Sequence, residues 1–408
     1  MRVLISGASI AGPTLAYWLH RAGFEVTVVE RTASLRTGDG GQAVDLLGPA
    51  VEVVERMGLG AQVRRHRTTT DVMTLVRPGR GDVSIHGAEL LAGVSDRHVE
   101  ILRGDLARVL HAATAEDVEY RFAKTITAIE DTAVTFSDGA REHFDLVVGA
   151  DGLHSGVRRL IFGDERGYRH FLGAYLAVYS LPDFLGLDGR VLSYNTVDRA
   201  VALYPTKRPG QARAVFLIRN PELDYDHRDA AAQRALLRTL AGGLGWEVPT
   251  LLTHLDAAGD FYFDSISQIR LGSYSRGRVT LAGDAGYGPG PAVGGGSSLA
   301  LVGAYVLAAE LAAAGGEHTV AFPAYEAAMA TPIAASRRIG PAVLATLIPR
   351  GPAQVWTMAQ ALRVLPHLPL PLRRRLTSFG GGPAAMLDGV DLRPFPGTAR
   401  LQQRVPGA

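Results

Sequence analysis

Cysteine is absent from this sequence of 408 residues. Its absence excludes disulfide bonds, a cysteine nucleophile, thiolate metal sites and iron–sulfur clusters. Lysine is scarce as well, because Lys124 and Lys207 are the only lysines among the 42 basic residues. The net charge is +2, and the arginines form no basic face of the kind that binds nucleic acid. We therefore expect no nucleic-acid partner.

Long apolar runs are also missing. No stretch reaches the roughly 20 residues of a membrane helix without an interrupting proline or arginine. The first residues lack the charged region and cleavage site of a signal peptide, so we predict a cytoplasmic protein without a membrane span. The histidines show no metal-ligand spacing, and no metal site is predicted. The length favours two domains.

The N-terminal residues have the pattern of a β-α-β unit. An apolar strand at 2–6 precedes a helical pattern at 11–22, and a second strand follows at 25–30. The segment GASIAG between them is a glycine-rich turn that opens the helix. Backbone N–H groups at such a helix start bind a diphosphate. The predicted diphosphate site consists of Gly7, Ser9, Ala11 and Gly12.

Two residues at the end of the second strand suggest a nucleotide ligand. Glu30 suits the hydrogen bonds of an adenosine ribose. Arg31 leaves two alternatives, since it could hold the 2′-phosphate of NADP or line the adenosine end of FAD. Ser9 replaces the middle glycine of the usual motif, so this motif alone does not decide between them.

A second glycine cluster, LAGDAGYGPGPAVGGGSS at 281–298, follows a predicted buried strand. FAD has a ribityl chain whose hydroxyls need an acceptor, and Asp284 at the strand end can supply one. The amides that begin the next helix could face the diphosphate or the flavin ring. The residues concerned are Gly294, Gly295, Gly296, Ser297 and Ser298. A simple nicotinamide dehydrogenase needs no such segment, so the sequence favours FAD.

A third motif, GADGLHSGVRR at 149–159, matches the Gly-Ala-Asp-Gly-x-x-Ser-x-Val-Arg signature of FAD-dependent hydroxylases of the para-hydroxybenzoate hydroxylase type. With the two glycine clusters, it makes the chain up to about residue 330 resemble that family. The resemblance is strongest to the tetracycline-modifying monooxygenases and the tailoring hydroxylases of natural-product biosynthesis. It implies FAD contacts from Asp45, Arg103, Asp151, Asp284, Pro291 and the glycines 294–296.

The resemblance also implies a reaction. NADPH, or NADH, would reduce FAD, and a flavin C4a-hydroperoxide formed with dioxygen would hydroxylate or otherwise oxygenate a hydrophobic, aromatic or polycyclic small molecule. Gly286 and Tyr287 depart from the family, which often has a histidine after Gly-Asp-Ala-Ala. These changes affect the surroundings of the ring, so the substrate is less determined than the cofactor. No catalytic base is identified.

The predicted fold class is α/β. A Rossmann-like FAD-binding domain with a parallel sheet is expected from 1–167 and 271–330, and an antiparallel-sheet substrate domain from 168–270. A C-terminal helical region is expected at 331–408. Tyr175 and Tyr194, in alternating strands of the middle segment, are the expected substrate contacts.

Other flavin functions differ from monooxygenation in the residues that they require. Flavin-dependent halogenation requires a lysine near the ring and a Trp-x-Trp-x-Ile-Pro segment, and the sequence has neither. A flavin-linked reductase or oxidase of a hydrophobic substrate stays open, as does a non-catalytic protein that binds FAD or another ligand. Oxygen consumption coupled to substrate would separate the monooxygenase from a reductase, and bound FAD without NADPH oxidation would support the non-catalytic protein.

Overall fold

A computed structural model describes residues 1–35, 42–68, 70, 72–87, 98–292, 294–369, 371–373, 386–387 and 390–396. Its strands are β1 Arg2–Ser6, β2 Glu25–Val29, β3 Ala43–Leu47, β4 Val72–Val76, β5 Val83–His86, β6 His98–Leu102, β7 Glu119–Arg121, β8 Ile126–Glu130, β9 Ala133–Phe136, β10 Arg141–His143, β11 Leu146–Gly149, β12 Arg169–Pro182, β13 Arg190–Thr196, β14 Arg199–Pro205, β15 Gln211–Arg219, β16 Tyr262–Ile269, β17 Ser275–Arg276 and β18 Val279–Leu281. Its helices are α1 Ala11–Arg21, α2 Gly48–Arg56, α3 Gly60–Arg65, α4 Arg103–Ala112, α5 Gly156–Phe162, α6 Ala230–Ala241, α7 Val248–Thr253, α8 Asp284–Tyr287, α9 Gly296–Ala313, α10 His318–Leu347 and α11 Pro352–Val364.

A six-stranded sheet in the order β17-β18-β11-β1-β2-β7 forms the first layer. Strands β18, β11, β1, β2 and β7 run parallel, and β17 pairs antiparallel with β18. The apolar runs of β1, β2 and β11 are buried over almost their whole length, as expected for a covered parallel sheet. The predicted Rossmann-like sheet is confirmed.

Helix α9 is the core helix of this domain and packs against α1, α2 and α10. Among the described helices it has the length and mean hydropathy, 1.5, that could span a membrane, but 67% of it is buried inside the protein. A helix that is apolar on all sides suits such a central position because protein surrounds it. Its composition is therefore explained by packing.

A second sheet has the order β16-β12-β15-β14-β13-β4-β5, and its described pairs are antiparallel except for β13 with β4. Helices α6 and α7 cover one face, in a cluster that includes Tyr179, Phe216 and Leu251. The other face packs against the end of α10 through Leu344 and Ile348. The predicted antiparallel sheet is confirmed. Strands β4 and β5 were not predicted, and they join this sheet from within the segment 1–167.

The C-terminal helical region consists of α10, α11 and a return segment. Residues 390–396 come back to the first domain, where the ring of Phe395 lies 4.7 Å from that of Trp18. Arg56 donates a 2.7 Å hydrogen bond to the carbonyl of Leu392. The boundaries at 167, 270 and 330 stay a proposal, since α10 runs across residue 330 and β4-β5 join the second sheet from within 1–167.

We expect Gly12→Ala to destabilise the fold. A Cβ at this position would lie 1.9 Å from the carbonyl oxygen of Gly7, and backbone cannot move aside as a flexible side chain can. Overpacking of this kind costs about 1–3 kcal/mol. Gly259→Ala is the control, because its Cβ would meet nothing within 4 Å. Equal melting temperatures of the two variants would contradict the proposed close approach.

Candidate functional site

Three loops meet at the carboxyl edge of the parallel sheet, after β1, β11 and β18. A Cβ on Gly7, whose φ is +111°, would lie 2.4 Å from the carbonyl oxygen of Ala150. A Cβ on Gly283 would lie 3.3 Å from the Cβ atoms of both Ala11 and Ala300. Neighbouring parallel strands end at one edge, so the fold brings the three sequence motifs together.

Helix α1 presents its first N–H groups without an internal partner. Its N-cap residue, Ile10, makes no side-chain cap, and its first turn contains no acidic residue. Nη2 of Arg103, at the start of α4, donates a 3.1 Å hydrogen bond to the hydroxyl of Ser9 in the same loop. The positive end of a helix beside a guanidinium fits a diphosphate.

Glu30 lies directly after β2, beside this loop. Its carboxylate accepts hydrogen bonds from the amide of Ala8, at 3.1 Å, and from the amide of Thr32, at 3.0 Å. It is therefore held at the edge of the diphosphate loop, where an adenosine ribose is expected. The side chain of Arg31 is exposed, and it stands next to Glu30 with both of its predicted roles open.

Asp284 lies at the bottom of a cleft. Its side chain is exposed to solvent and accepts no hydrogen bond from any other described residue. Burial nevertheless raises the pKa of Asp284, against the opposing charges of Arg103 and Arg158. The carboxylate of Asp284 is therefore surrounded by protein atoms but still reached by water, as expected for a residue at the floor of a cleft. An acceptor without a protein partner at this place fits the hydroxyls of a ribityl chain.

The start of α9 closes the cleft from the other side. Gly295 adopts a left-handed conformation with φ +77°, and the first turn has neither a side-chain cap nor an acidic residue. A Cβ on Gly296 would lie 3.7 Å from Oδ1 of Asp284. The remaining predicted residues of this loop, Pro291, Gly294 and Ser297, are partly buried.

Ser298 was predicted to contact the cofactor, and its side chain is turned into the protein. Its buried hydroxyl donates to the carbonyl of Asp45 at 2.8 Å and accepts from the amide of Leu47 at 3.0 Å. These bonds hold β3 beside the start of α9. The carboxylate of Asp45 lies 2.7 Å from Nε2 of His98, and this hydrogen bond raises the pKa of His98. The strand expected to pass the ring is thus next to the cleft.

Asp151 is engaged within the fold. Its carboxylate accepts from the amides of Gly156, at 2.8 Å, and Val157, at 3.2 Å, and from the Ser155 hydroxyl. It therefore caps the start of α5 behind the diphosphate loop. The neighbouring Arg158, for which no sequence motif indicated a role, is fully buried and donates at 2.9 Å to the carbonyl of Ala285. The signature motif at 149–159 thus holds the loop that carries Asp284 in place through Arg158.

The structure does not bring Tyr175 and Tyr194 to the site, so the expected substrate contacts need correction. Tyr175 is 1% exposed, and its hydroxyl accepts a hydrogen bond from the amide of Leu223. Tyr194 packs against Trp246, with ring centroids 5.7 Å apart. Both lie on the face covered by α6 and α7. Successive strand residues point to opposite faces, and the sequence did not reveal which face was covered.

The opposite face of the second sheet borders the cleft. Ala292, from the loop before α9, packs in one apolar cluster with Leu172, Val215 and Tyr262 of this sheet. The end of α10 completes the same cluster through Leu344 and Ile348. A mostly apolar wall therefore stands opposite the loop that carries the flavin motif.

A buried charged pair joins the two domains, and sequence reasoning missed it. Nε2 of His154, in the third motif, lies 2.9 Å from Oδ2 of Asp264 on β16. Nδ1 of His154 lies 3.5 Å from Glu165. Burial disfavours the charged imidazole, yet the hydrogen bond to Asp264 and the nearby carboxylate of Glu165 outweigh it and raise the pKa of His154 to about 9. The sequence offered no signal for this pair, because its partners lie 110 residues apart.

The geometry agrees with comparisons to known proteins. Residues 1–321 match the family model described as FAD binding domain. A flavin-dependent monooxygenase of Legionella longbeachae is 38% identical over 83% of this chain and 88% of its own length. An uncharacterized protein of Mycobacterium tuberculosis is 42% identical over 80% of this chain and 88% of its own length.

Solved structures show the same likeness. Tetracycline destructase Tet(51) is 32% identical with a TM-score of 0.80, covering 93% of this chain and 98% of its own. Tetracycline destructase Tet(55) is 33% identical with a TM-score of 0.78, covering 93% and 97%. The chain therefore belongs to the FAD-binding-domain family and is an FAD-dependent monooxygenase.

Proposed function

We propose that this enzyme takes electrons from NADPH or NADH and uses dioxygen to hydroxylate, or otherwise oxygenate, a hydrophobic aromatic or polycyclic small molecule. One oxygen atom would enter the substrate and the other would leave as water. FAD, when bound, supplies the redox and oxygen chemistry. Because reduced nicotinamide is a cytoplasmic reductant, we place the reaction in the cytoplasm.

The residues around the cleft support specific roles toward FAD. The amides at the start of α1 and the guanidinium of Arg103 would hold the diphosphate, and Glu30 would bind the adenosine ribose. Asp284 would accept hydrogen bonds from the ribityl hydroxyls. The amides at the start of α9 would face the ring. Asp151 would contribute indirectly, since its carboxylate already accepts the amides of α5.

The apolar wall is the observation that carries the proposed substrate class. Leu172 and Val215, both partly buried, lie on one face of the second sheet and pack in one cluster with the loop residue Ala292. An apolar pocket binds a hydrophobic acceptor and excludes water from the reacting groups. The likeness to tetracycline destructases favours a polycyclic acceptor of tetracycline size. A role in antibiotic modification or natural-product tailoring would follow.

Asp284→Asn tests the cofactor site. Loss of the charged acceptor should cost about 1.5–3 kcal/mol, the usual worth of a hydrogen bond to a charged group. That corresponds to FAD binding weaker by roughly 10- to 100-fold. The measurement is the FAD dissociation constant, followed by flavin fluorescence on dilution of the holoprotein.

Asp145→Asn is the matched control, since Asp145 precedes β11 and accepts the amide of Arg2 at the amino end of the same sheet. It should leave FAD affinity unchanged. An Asp284→Asn protein with the affinity of the wild type would remove Asp284 from the cofactor site.

A substrate panel tests the reaction. The purified protein should be yellow, and NADPH oxidation should rise when tetracyclines or other aromatic polycycles are added. Labelled dioxygen should place one ¹⁸O atom in the product. A reduced product without label would support a flavin-linked reductase. Bound FAD without NADPH or NADH oxidation across the panel would support the non-catalytic alternative.

A further inference from the structure

Tyr262, the first residue of β16, stands at the boundary between the cofactor cleft and the apolar wall. Its ring belongs to the cluster that includes Ala292. Burial raises the pKa of the Tyr262 hydroxyl well above its ordinary value, and the charges of Asp264, Arg103 and Asp284 act on it as well. The hydroxyl therefore stays neutral, and helix α8, which begins at Asp284, packs against the strand that begins at Tyr262.

The polar neighbour of this hydroxyl is a buried carboxylate. Asp264 is 4% exposed and accepts hydrogen bonds from His154 at 2.9 Å, Tyr225 at 3.2 Å and the amide of Ser265 at 2.8 Å. Its bond from Tyr262 is longer, 3.4 Å. The carboxylate is thus well satisfied without Tyr262, whose hydroxyl keeps capacity for another partner.

His154 anchors this carboxylate from the first domain. The imidazole belongs to the loop after β11, and it stacks on the ring of His227 at 4.1 Å. The chain of contacts from His154 through Asp264 to Tyr262 therefore connects the signature loop with the cleft beside Asp284. No apolar contact would fix the direction of the hydroxyl in this way, because hydrogen bonds are directional.

We propose that Tyr262 is a further FAD-contacting residue whose hydroxyl binds the flavin beside Asp284, and that Asp264 and His154 are positioning residues that hold it there. The second sheet would thereby contribute to cofactor binding through β16. This inference rests on the proposed FAD site. It adds a contact from β16 that none of the three sequence motifs contains.

Tyr262→Phe tests the contact. FAD should dissociate about 3- to 10-fold more readily, the range expected for one neutral hydrogen bond. The measurement is again flavin fluorescence on dilution of the holoprotein. Asp264→Asn should have an effect of similar size, and the double variant should bind FAD no more weakly than Tyr262→Phe alone. Additive losses would show that Asp264 does not act through Tyr262.

Tyr179→Phe is the matched control. This tyrosine lies on the opposite face of the second sheet and donates to the carbonyl of Leu251 at 2.9 Å. Its loss should lower stability and leave FAD affinity unchanged. Wild-type affinity in Tyr262→Phe would overturn the inference and leave the proposed function intact, whereas a wild-type protein that binds no FAD would overturn both.

The pH dependence of FAD affinity gives a second readout. Wild-type affinity should fall above about pH 9, where His154 loses its proton, and this fall should be absent in His154→Gln. His154→Gln leaves the buried carboxylate of Asp264 without its histidine partner. The double variant His154→Gln/Asp264→Asn also removes that charge, and it serves as the second test if the single variant does not fold. A pH profile that both variants share with the wild type would refute the positioning role of His154.

The free energy of unfolding should also depend on the protonation of His154. A pKa raised from about 6.5 to about 9 means that His154 stabilises the fold fully below pH 6.5 and ceases to do so as pH rises through 9. The groups facing it are Asp264, Glu165 and His227. Arg158 contacts the carboxylate of Glu165, and Tyr225 donates to that of Asp264.

We therefore expect the wild-type melting temperature to fall more between pH 7 and pH 10 than that of His154→Gln/Asp264→Asn. His254→Gln, which changes a histidine stacked near Phe184, should follow the wild type. Parallel curves for all three proteins would contradict the stabilising role of the pair.

Discussion

Close backbone contact between loops, at positions where a side chain would clash, holds the candidate site together. A side chain on Gly12 would overlap the carbonyl oxygen of Gly7. A side chain on Gly7 would likewise overlap the carbonyl oxygen of Ala150. Gly283 lies between helices α1 and α9 in the same manner. These contacts bring two helix starts to one cleft and leave their amides bare toward a ligand.

The charges around the cleft are divided in a way that suits a long dinucleotide. The first turns of α1 and α9 contain no acidic residue, so neither helix neutralises its own positive end. Asp284 supplies a carboxylate acceptor farther along the cleft, and Arg103 lies close enough to lower its raised pKa. Positive groups thus line the expected diphosphate end, and an acceptor lies where sugar hydroxyls are expected.

Polar contacts fix the loops of the first domain, and one of them orients the second sheet against that domain. Arg158 reaches from α5 to the loop of Asp284, Ser298 ties β3 to α9, and His154 pairs with Asp264 of the second sheet. Such buried bonds add little net stability compared with apolar packing, but removing one partner leaves an uncompensated group. They hold the apolar wall opposite the flavin loop in one geometry, which a reaction that must exclude water requires.

Local sequence determined the elements and the cofactor motifs. The β1-α1-β2 unit, Gly7, Gly12 and Glu30 lie within one short segment, so their spacing already reflects the backbone geometry that a diphosphate needs. Asp284 was recognisable because it follows an apolar strand. Helix α6 and the antiparallel strands followed from their periodicity.

Only the tertiary structure decided how side chains are used. Alternation shows that neighbours on a strand point to opposite faces, but α6 and α7 determine that Tyr175 and Tyr194 lie on the covered face. The long-range pairings of β4 with β13 and of His154 with Asp264 have no local pattern. They form when distant segments pack together, so the interactions that stabilise them exist only in the folded chain.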